Sequence, residues 1–194
     1  MGTRITLLFM ALYACGCSEK HKEPDFRKTN WGITGDQVKV LEDAKLILDN
    51  GRMQSYDGTV GGLPCQITYL FVKNQLTTGH FFFKVEHKVD SLYVRDYQTL
   101  KETVSERYGR PRLDDATWKD TTYRGRSDRV GLAIRSGHLS LATEWETPTT
   151  EIWLFLAGEN SEIRLSMKYM SRLLADIKDE ETQEPRGEPR PNEF

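Results

Sequence analysis

Cysteine is scarce where a disulfide framework would need it: Cys15 and Cys17 lie at the start, and Cys65 alone lies in the body of the chain. A fold stapled by disulfides is therefore excluded. Histidine is equally sparse. His21, His80, His87 and His138 show none of the local spacings that bring three or four metal ligands together. His80 and His87 are an odd number of residues apart on what reads as one strand, so they point to opposite faces. No Gly-x-Ser-x-Gly elbow presents a nucleophile, and no Gly-rich loop cradles a phosphate. No apolar run reaches the ~20 residues that a helix needs to cross a bilayer. Charge of one sign is missing too. The 27 Lys and Arg against 29 Asp and Glu leave a formal charge of -2, which argues against wholesale binding to nucleic acid or to an acidic membrane surface. The expectation is a non-enzymatic chain with no catalytic residue, metal or cofactor.

What the chain does have begins at its start. Arg4 precedes an apolar run of Ile5, Leu7, Leu8, Phe9, Met10, Ala11 and Leu12, a short secretory leader. It runs into Leu12-Tyr13-Ala14-Cys15, where a small residue precedes a cysteine and leucine stands three positions ahead of it. This resembles the bacterial lipoprotein processing site, and the resemblance implies acylation of Cys15 at the end of a signal peptide and lipobox over 1–17. Cys17, behind Ala14 and Gly16, is the alternative. Acyl chains on one cysteine anchor stably, since each buried methylene contributes about 0.8 kcal/mol. Neither Gly16 nor Ser18 is the aspartate that resembles an inner-membrane retention signal, so the expected place is the outer membrane, facing the periplasm. Residues 18–25, Ser-Glu-Lys-His-Lys-Glu-Pro-Asp, are charged and aperiodic and read as a tether. His21 is a solvated part of it.

Residues 26–172 read as a single α+β domain, an antiparallel sheet built from two consecutive helix-plus-four-strand units over about 26–88 and 89–172, with the helices on one face. Thr34-Gly35-Asp36-Gln37 fits a capping box, and the helix behind it puts Val38, Leu41 and Lys45 on one face with Val40 and Ala44 at its edge. Leu46, Ile47 and Leu48 form a strand that turns at Asn50-Gly51; a second strand runs to about Val60 and turns at Gly61-Gly62. Residues 65–72 alternate, with Cys65 as a small buried apolar residue. Residues 76–87 make a long strand, apolar on both faces around His80-Phe81-Phe82-Phe83 and hence central. In the second unit Asp96 caps a helix carrying Tyr97, Leu100, Val104 and Tyr108, and Gly109 with Pro111 ends it. A short strand lies at or near Trp118, and 130–135 makes another ahead of a Ser136-Gly137 turn. Residues 138–146 put Leu139, Leu141, Thr143 and Trp145 on one face, and 151–157 pairs with 162–170 across a turn at 158–161. Residues 173–194, acidic and then Pro-rich, are expected to be disordered.

Three clusters invite a functional reading. Glu144 and Glu146 flank Trp145, but their spacing is also that of an outward polar face, and they are taken as solvated. His138 is taken as structural. Arg107, Arg110, Arg112, Lys119, Arg124, Arg126 and Arg129 are interleaved with Glu106, Asp114, Asp115, Asp120 and Asp128, which makes a solvated loop rather than an anion patch. The aromatics carry more. Phe82, Trp153 and Phe155 point away from the face used by Phe81, Phe83, Ile152 and Leu154, so helices on one face would leave these three as an interaction surface.

Trp31-Gly32-Ile33-Thr34 with Val38 and Leu41 is similar to the helix start of the small outer-membrane-assembly lipoproteins, the SmpA/OmlA or BamE family. The doubled helix-plus-four-strand order resembles the β-lactamase inhibitor proteins. Both resemblances imply a scaffold of the bacterial envelope that binds other proteins, with no catalytic residue to carry over. The expected function is a lipid-anchored interaction module, joined to the membrane by its N-terminal lipid and to another envelope protein by its sheet. A periplasmic lipoprotein that binds a small ligand or glycan is the alternative.

Overall fold

The computed structural model describes residues 23–177. The leader, both candidate acylation sites Cys15 and Cys17, residues 18–22 of the tether and residues 178–194 of the tail lie outside that range. The order of elements is α1 (Gly35–Leu41), β1 (Lys45–Asp49), β2 (Met53–Val60), β3 (Leu63–Val72), β4 (Gln75–Phe83), α2 (Ser91–Tyr108), β5 (Leu113–Trp118), a 3-10 turn (Ser127–Arg129), α3 (Val130–Arg135), β6 (Leu139–Glu146), β7 (Thr150–Glu159) and β8 (Glu162–Ser171). The class is α+β, with one antiparallel eight-stranded sheet in the order β1-β2-β3-β4-β8-β7-β6-β5.

Short-range chemistry fixes the reversals. Asn50 accepts hydrogen bonds from the backbone N–H groups of Arg52 and Met53 at 3.1 and 2.8 Å, and Gly51 takes φ 80°. Gly61 and Gly62 turn β2 into β3 at φ 58° and 78°, and Lys73-Asn74 and Asn160-Ser161 close two further hairpins in the same left-handed region. Pairs of positive φ values match the twist of the flanking strands. At α1 the capping box forms: Thr34 N–H donates to the Gln37 side chain at 2.9 Å, and Gln37 N–H donates to Thr34 Oγ1 at 3.4 Å. Val38 is fully buried, but Leu41 and Val40 face outward rather than inward.

α1, α2 and α3 all meet the same face of the sheet. Across that face run Gln54, Tyr69, Gly79, Tyr169, Ile152 and Trp145 in register, and beside them Tyr56, Ile67, Phe81, Met167, Leu154 and Thr143. α1 approaches it through Gly35, which lies against Gln54 and Phe71. α2 ties to it by Tyr97 Oη and Thr143 Oγ1 at 2.5 Å and by Trp145 Nε1, which donates to Ser105 Oγ at 3.3 Å. α3 approaches so closely at Gly158 that a Cβ there would meet the Ile134 carbonyl oxygen at 1.8 Å. The N-terminal segment closes the same face. Asp25, assigned to the tether by its charge, is buried; its carboxylate accepts from Trp31 N–H at 3.1 Å and from Thr149 Oγ1 at 2.6 Å.

Several sequence expectations are corrected here. Residues 130–135 are helical. The run Val-Gly-Leu-Ala-Ile-Arg is too short for periodicity to separate helix from strand, and tertiary contact decides it. Gly131 packs against the backbone of Asp90 and Ser91, and the Ser136-Gly137 pair is a helix end, with Gly137 N–H donating to the Ile134 carbonyl at 2.9 Å. α2 starts at Ser91, not at Asp96, which lies inside the helix, is buried and meets His87 Nε2 at 2.5 Å. β4 ends at Phe83, so His87 sits in the connection beyond it. β4 does hold the middle of the sheet, and Gly109 does end α2, at φ 83° with its N–H on the Ser105 carbonyl at 2.8 Å. At the far end Leu174, just past the boundary read from composition, still packs against the core.

Candidate functional site

The helices cover one face of the sheet, and the period of two sends alternate side chains to the other. On that open face one row reads Leu48, Ser55, Thr68, His80, Lys168, Trp153, Glu144 and Leu113 from edge to edge. The next reads Asp57, Gln66, Phe82, Ser166, Phe155, Ala142 and Asp115. Phe82 and Phe155 thus flank Ser166 from the two strands beside it, about 10 Å apart at ~4.8 Å per strand. Phe82 is 43% exposed and Phe155 37%. All three residues singled out from the sequence share this face and two adjacent rows.

The rings are held in place. Trp153 and Phe155, two residues apart on β7, stack at 5.3 Å between centroids with 3° between planes. The Trp153 indole N–H donates to the Glu151 carboxylate on the same strand. His80 lies against Phe82 with centroids 3.8 Å apart. His80 Nε2 is buried without a hydrogen-bond partner among the described residues. Burial, with Lys168 as the neighbouring cation, pushes the imidazole down to about 4, so at neutral pH it is an uncharged ring. Small polar residues beneath are sealed: Ser55 and Thr68 are buried and share a hydrogen bond at 3.2 Å.

Sequence reasoning missed the polar end of this face. Glu144 is not solvated: it is 1% exposed beneath the Arg112 guanidinium, whose Nε donates to Glu144 Oε1 at 2.8 Å while a second nitrogen reaches both carboxylate oxygens. Arg112 N–H also donates to the Glu144 carbonyl at 2.8 Å. Arg112 and β5 thus lift part of the basic stretch out of the solvated loop it was read as. Glu146 remains half-exposed and pairs with Arg172 at 2.7 Å. The alternation of Glu144 with Glu146 gave their shared face, but nothing local announces an arginine 32 residues away. His138 lies at the other end of β6, where Tyr123 stacks on it at 5.5 Å and the Asp120 carboxylate stands 3.7 Å from Nδ1. Six residues of strand, roughly 20 Å, separate it from Glu144, so they do not form one site.

A groove of about 890 Å³ continues from Phe82 and Ser166 over the end of the sheet, with Lys84, Glu86, Arg135 and Arg164 on its walls. The covered face holds a smaller cleft of about 230 Å³ over Phe81, Met167 and Tyr169. Arg27 and Arg107 stand at its rim, but Glu42 and Glu23 already answer them. Among the described residues no three His, Cys, Asp or Glu side chains converge as metal ligands, and no helix is long and apolar enough to cross a membrane. Cys65 is buried, and desolvation pushes its thiol up to about 11, away from thiolate chemistry. Comparison with family profiles, curated proteins and solved structures finds no match.

Proposed function

We propose that the chain is a lipid-anchored protein of the bacterial envelope that binds another envelope protein through the open face of its sheet, without catalysis. One observation carries the reading: Phe82 and Phe155 stand exposed on either side of Ser166 on a face that no helix among the described residues covers, with Trp153 stacked beside Phe155. Rigid aromatics are the side chains that anchor protein interfaces, because they bury large area at little conformational cost. The mixed charges around them, Lys84, Glu86, Arg135 and Arg164, suit the polar rim of such an interface. The anchor rests on Leu12 to Cys15 in the sequence.

The architecture is further read as a duplicated unit. A helix precedes β1–β4 and another precedes β5–β8, with the 3-10 turn and α3 inserted after β5, and the units meet through their last strands, β4 and β8. That order supports the likeness to β-lactamase inhibitor proteins and so to a sheet used for docking. The small-ligand or glycan alternative, with aromatics lining a pocket, rests on the groove of about 890 Å³ beside Phe82, which lies within the range of roughly 300–1,000 Å³ usual for ligand pockets; the cleft beneath Arg27 and Arg107, at about 230 Å³, lies below that range and its cations are already paired.

The test is mild crosslinking of the tagged chain in its native envelope, with Cys15→Ala as the control for anchoring, followed by mass spectrometry. A reproducible protein partner that is lost in Phe155→Glu or Trp153→Glu, with the circular dichroism spectrum unchanged, supports the interaction module. An intact, anchored protein that captures no partner overturns it.

A further inference from the structure

Exposed apolar side chains on this molecule are unevenly placed. Of the ten large hydrophobic residues exposed among the described residues, five fall between positions 40 and 48: Val40 at 85%, with Leu41, Leu46, Ile47 and Leu48 between 41% and 44%. They run from the end of α1 into β1, an edge strand of the sheet. Register along β1 shifts between Leu46 and Leu48. Leu46, opposite Tyr56, therefore lies on the helix-covered side and Leu48, opposite Ser55, on the open side, while Ile47 falls between them without a partner on β2. The apolar surface wraps the rim of the sheet instead of lining one face. A concentration of this kind marks contact with another protein or with a membrane.

Two features select the membrane. The first is where the chain enters the fold. Arg27 pairs with Glu42 at 2.7 Å and Lys28 with Asp43 at 2.9 Å, so the segment ahead of α1 is clasped to the link that joins Leu41 to Lys45, in the middle of the apolar run. Glu23, where the described residues begin, stands four positions before Arg27 and so at most ~14 Å from it. Cys15 stands eight positions before Glu23, a reach of at most ~28 Å. An acyl group on Cys15 thus holds this rim within reach of the headgroups, and tethering makes the second contact intramolecular in its cost. The second feature is charge. All four carboxylates between positions 36 and 49 are paired: Asp36 and Asp49 with Lys39 at 3.2 and 2.7 Å, Glu42 with Arg27, and Asp43 with Lys28. Lys45 borders the run, and a lysine lays an apolar stem along such a surface while its ammonium reaches the phosphates.

We propose that the rim formed by Val40, Leu41, Leu46, Ile47 and Leu48 rests in the lipid headgroup layer, a second membrane contact beside the acyl anchor. It presupposes that anchor at Cys15. Depth is limited, because β1 has no strand on its outer side among the described residues and open sheet edges do not enter hydrocarbon. The contact stops at the interface, roughly 5–10 Å deep as for interfacial helices. Standing on its β1 edge, the sheet turns its open face along the membrane, which leaves Phe82 and Phe155 accessible to an envelope partner.

Tryptophan quenching in the full chain tests it. The lipoprotein purified from cells is reconstituted in phosphatidylcholine vesicles with and without bromine on the acyl chains, as the parent and as Val40→Trp, Ile47→Trp and Phe155→Trp. All three positions are exposed, and circular dichroism checks that the variants fold. Bromine should quench most of the emission added at 40 and 47 and leave that added at 155 unchanged. A chain that floats with the vesicles while both added rings at 40 and 47 stay unquenched overturns the proposal and leaves the anchor standing. A chain that does not float overturns the anchor, and this contact with it. Rings at 40 and 47 that escape bromine yet are shielded from aqueous iodide have a protein neighbour, a second copy or a partner, and equally overturn the proposal.

Discussion

Phe26 occupies the space that a side chain at position 79 would need: a Cβ on Gly79 would stand 2.4 Å from three Phe26 ring carbons. The ring lies over the middle of the sheet between Tyr69 at 5.1 Å, Phe81 at 4.9 Å and Tyr169 at 5.2 Å. The segment ahead of α1 is thereby locked to the two central strands, and glycine at 79 is what lets it sit there. Gly79→Ala should destabilise the fold by about 1–3 kcal/mol, the usual cost of overpacking, read as a lowered midpoint in urea with unchanged slope. Phe26→Leu frees part of the space, so the double variant should lose less than the sum of the singles.

Tyr69 carries a second test. Its hydroxyl donates to Glu42 Oε2 at 2.5 Å, and Arg27 Nε and Nη2 reach the same carboxylate at 2.7 and 2.9 Å. Tyr69 is fully buried, and burial together with the Glu42 carboxylate drives its phenol well above the ordinary range. Tyr69→Phe keeps the ring but leaves the carboxylate short of a donor. The expected loss is about 1.5–3 kcal/mol, the range for hydrogen bonds to charged groups, and equilibrium unfolding measures it.

Arg112 and Glu144 predict an asymmetry. Removing the arginine strands a carboxylate that is 1% exposed, whereas neutralising the carboxylate strands only an exposed guanidinium. Arg112→Met should therefore lower Tm more than Glu144→Gln does, and the double variant should recover part of the loss. Equal effects in the two single variants would show that the clasp contributes no more than a surface pair.

His80 predicts the pH dependence. Its imidazole is held at about 4 against an ordinary 6.5, chiefly by desolvation. Between those values the unfolded chain binds a proton that the folded chain does not, so stability falls as pH drops through this window and levels off below about 4. Replacing His80 with Leu should remove that part of the slope. The unfolding free energy of the wild-type chain should fall relative to that of the His80→Leu variant as pH drops from about 6.5 to about 4; parallel curves would show that His80 keeps its proton equilibrium on folding.

How much of this was legible before folding follows from the range of each interaction. Hairpins closed by Asn50-Gly51 and Gly61-Gly62, the capping box of Thr34 and Gln37, and the end of α2 at Gly109 rest on a few adjacent residues, and each was read correctly. The alternation in β7 placed Trp153 and Phe155 opposite to Ile152 and Leu154 for the same reason. Misreadings occurred where distant contacts outweighed local pattern. Residues 130–135 carry apolar side chains that satisfy either period, and it is packing of Gly131 on Asp90 and of Ile134 on Gly158 that makes them helical. Asp96 looks like a cap by type, yet the helix begins five residues earlier.

The sequence by itself determined the alternation of the strands, the sites of their turns and the side of each strand on which an aromatic falls, because these depend on backbone geometry repeated over two to four residues. Only the tertiary structure decided that β4 and β8 become neighbours, that Phe26 lies on Gly79 and that Arg112 closes over Glu144. Each of these joins residues dozens of positions apart, and their spacing along the chain carries no trace of the contact. The exposure of Phe82 and Phe155 needed both: alternation turned them to one face, and the helices, by covering the other, left that face open.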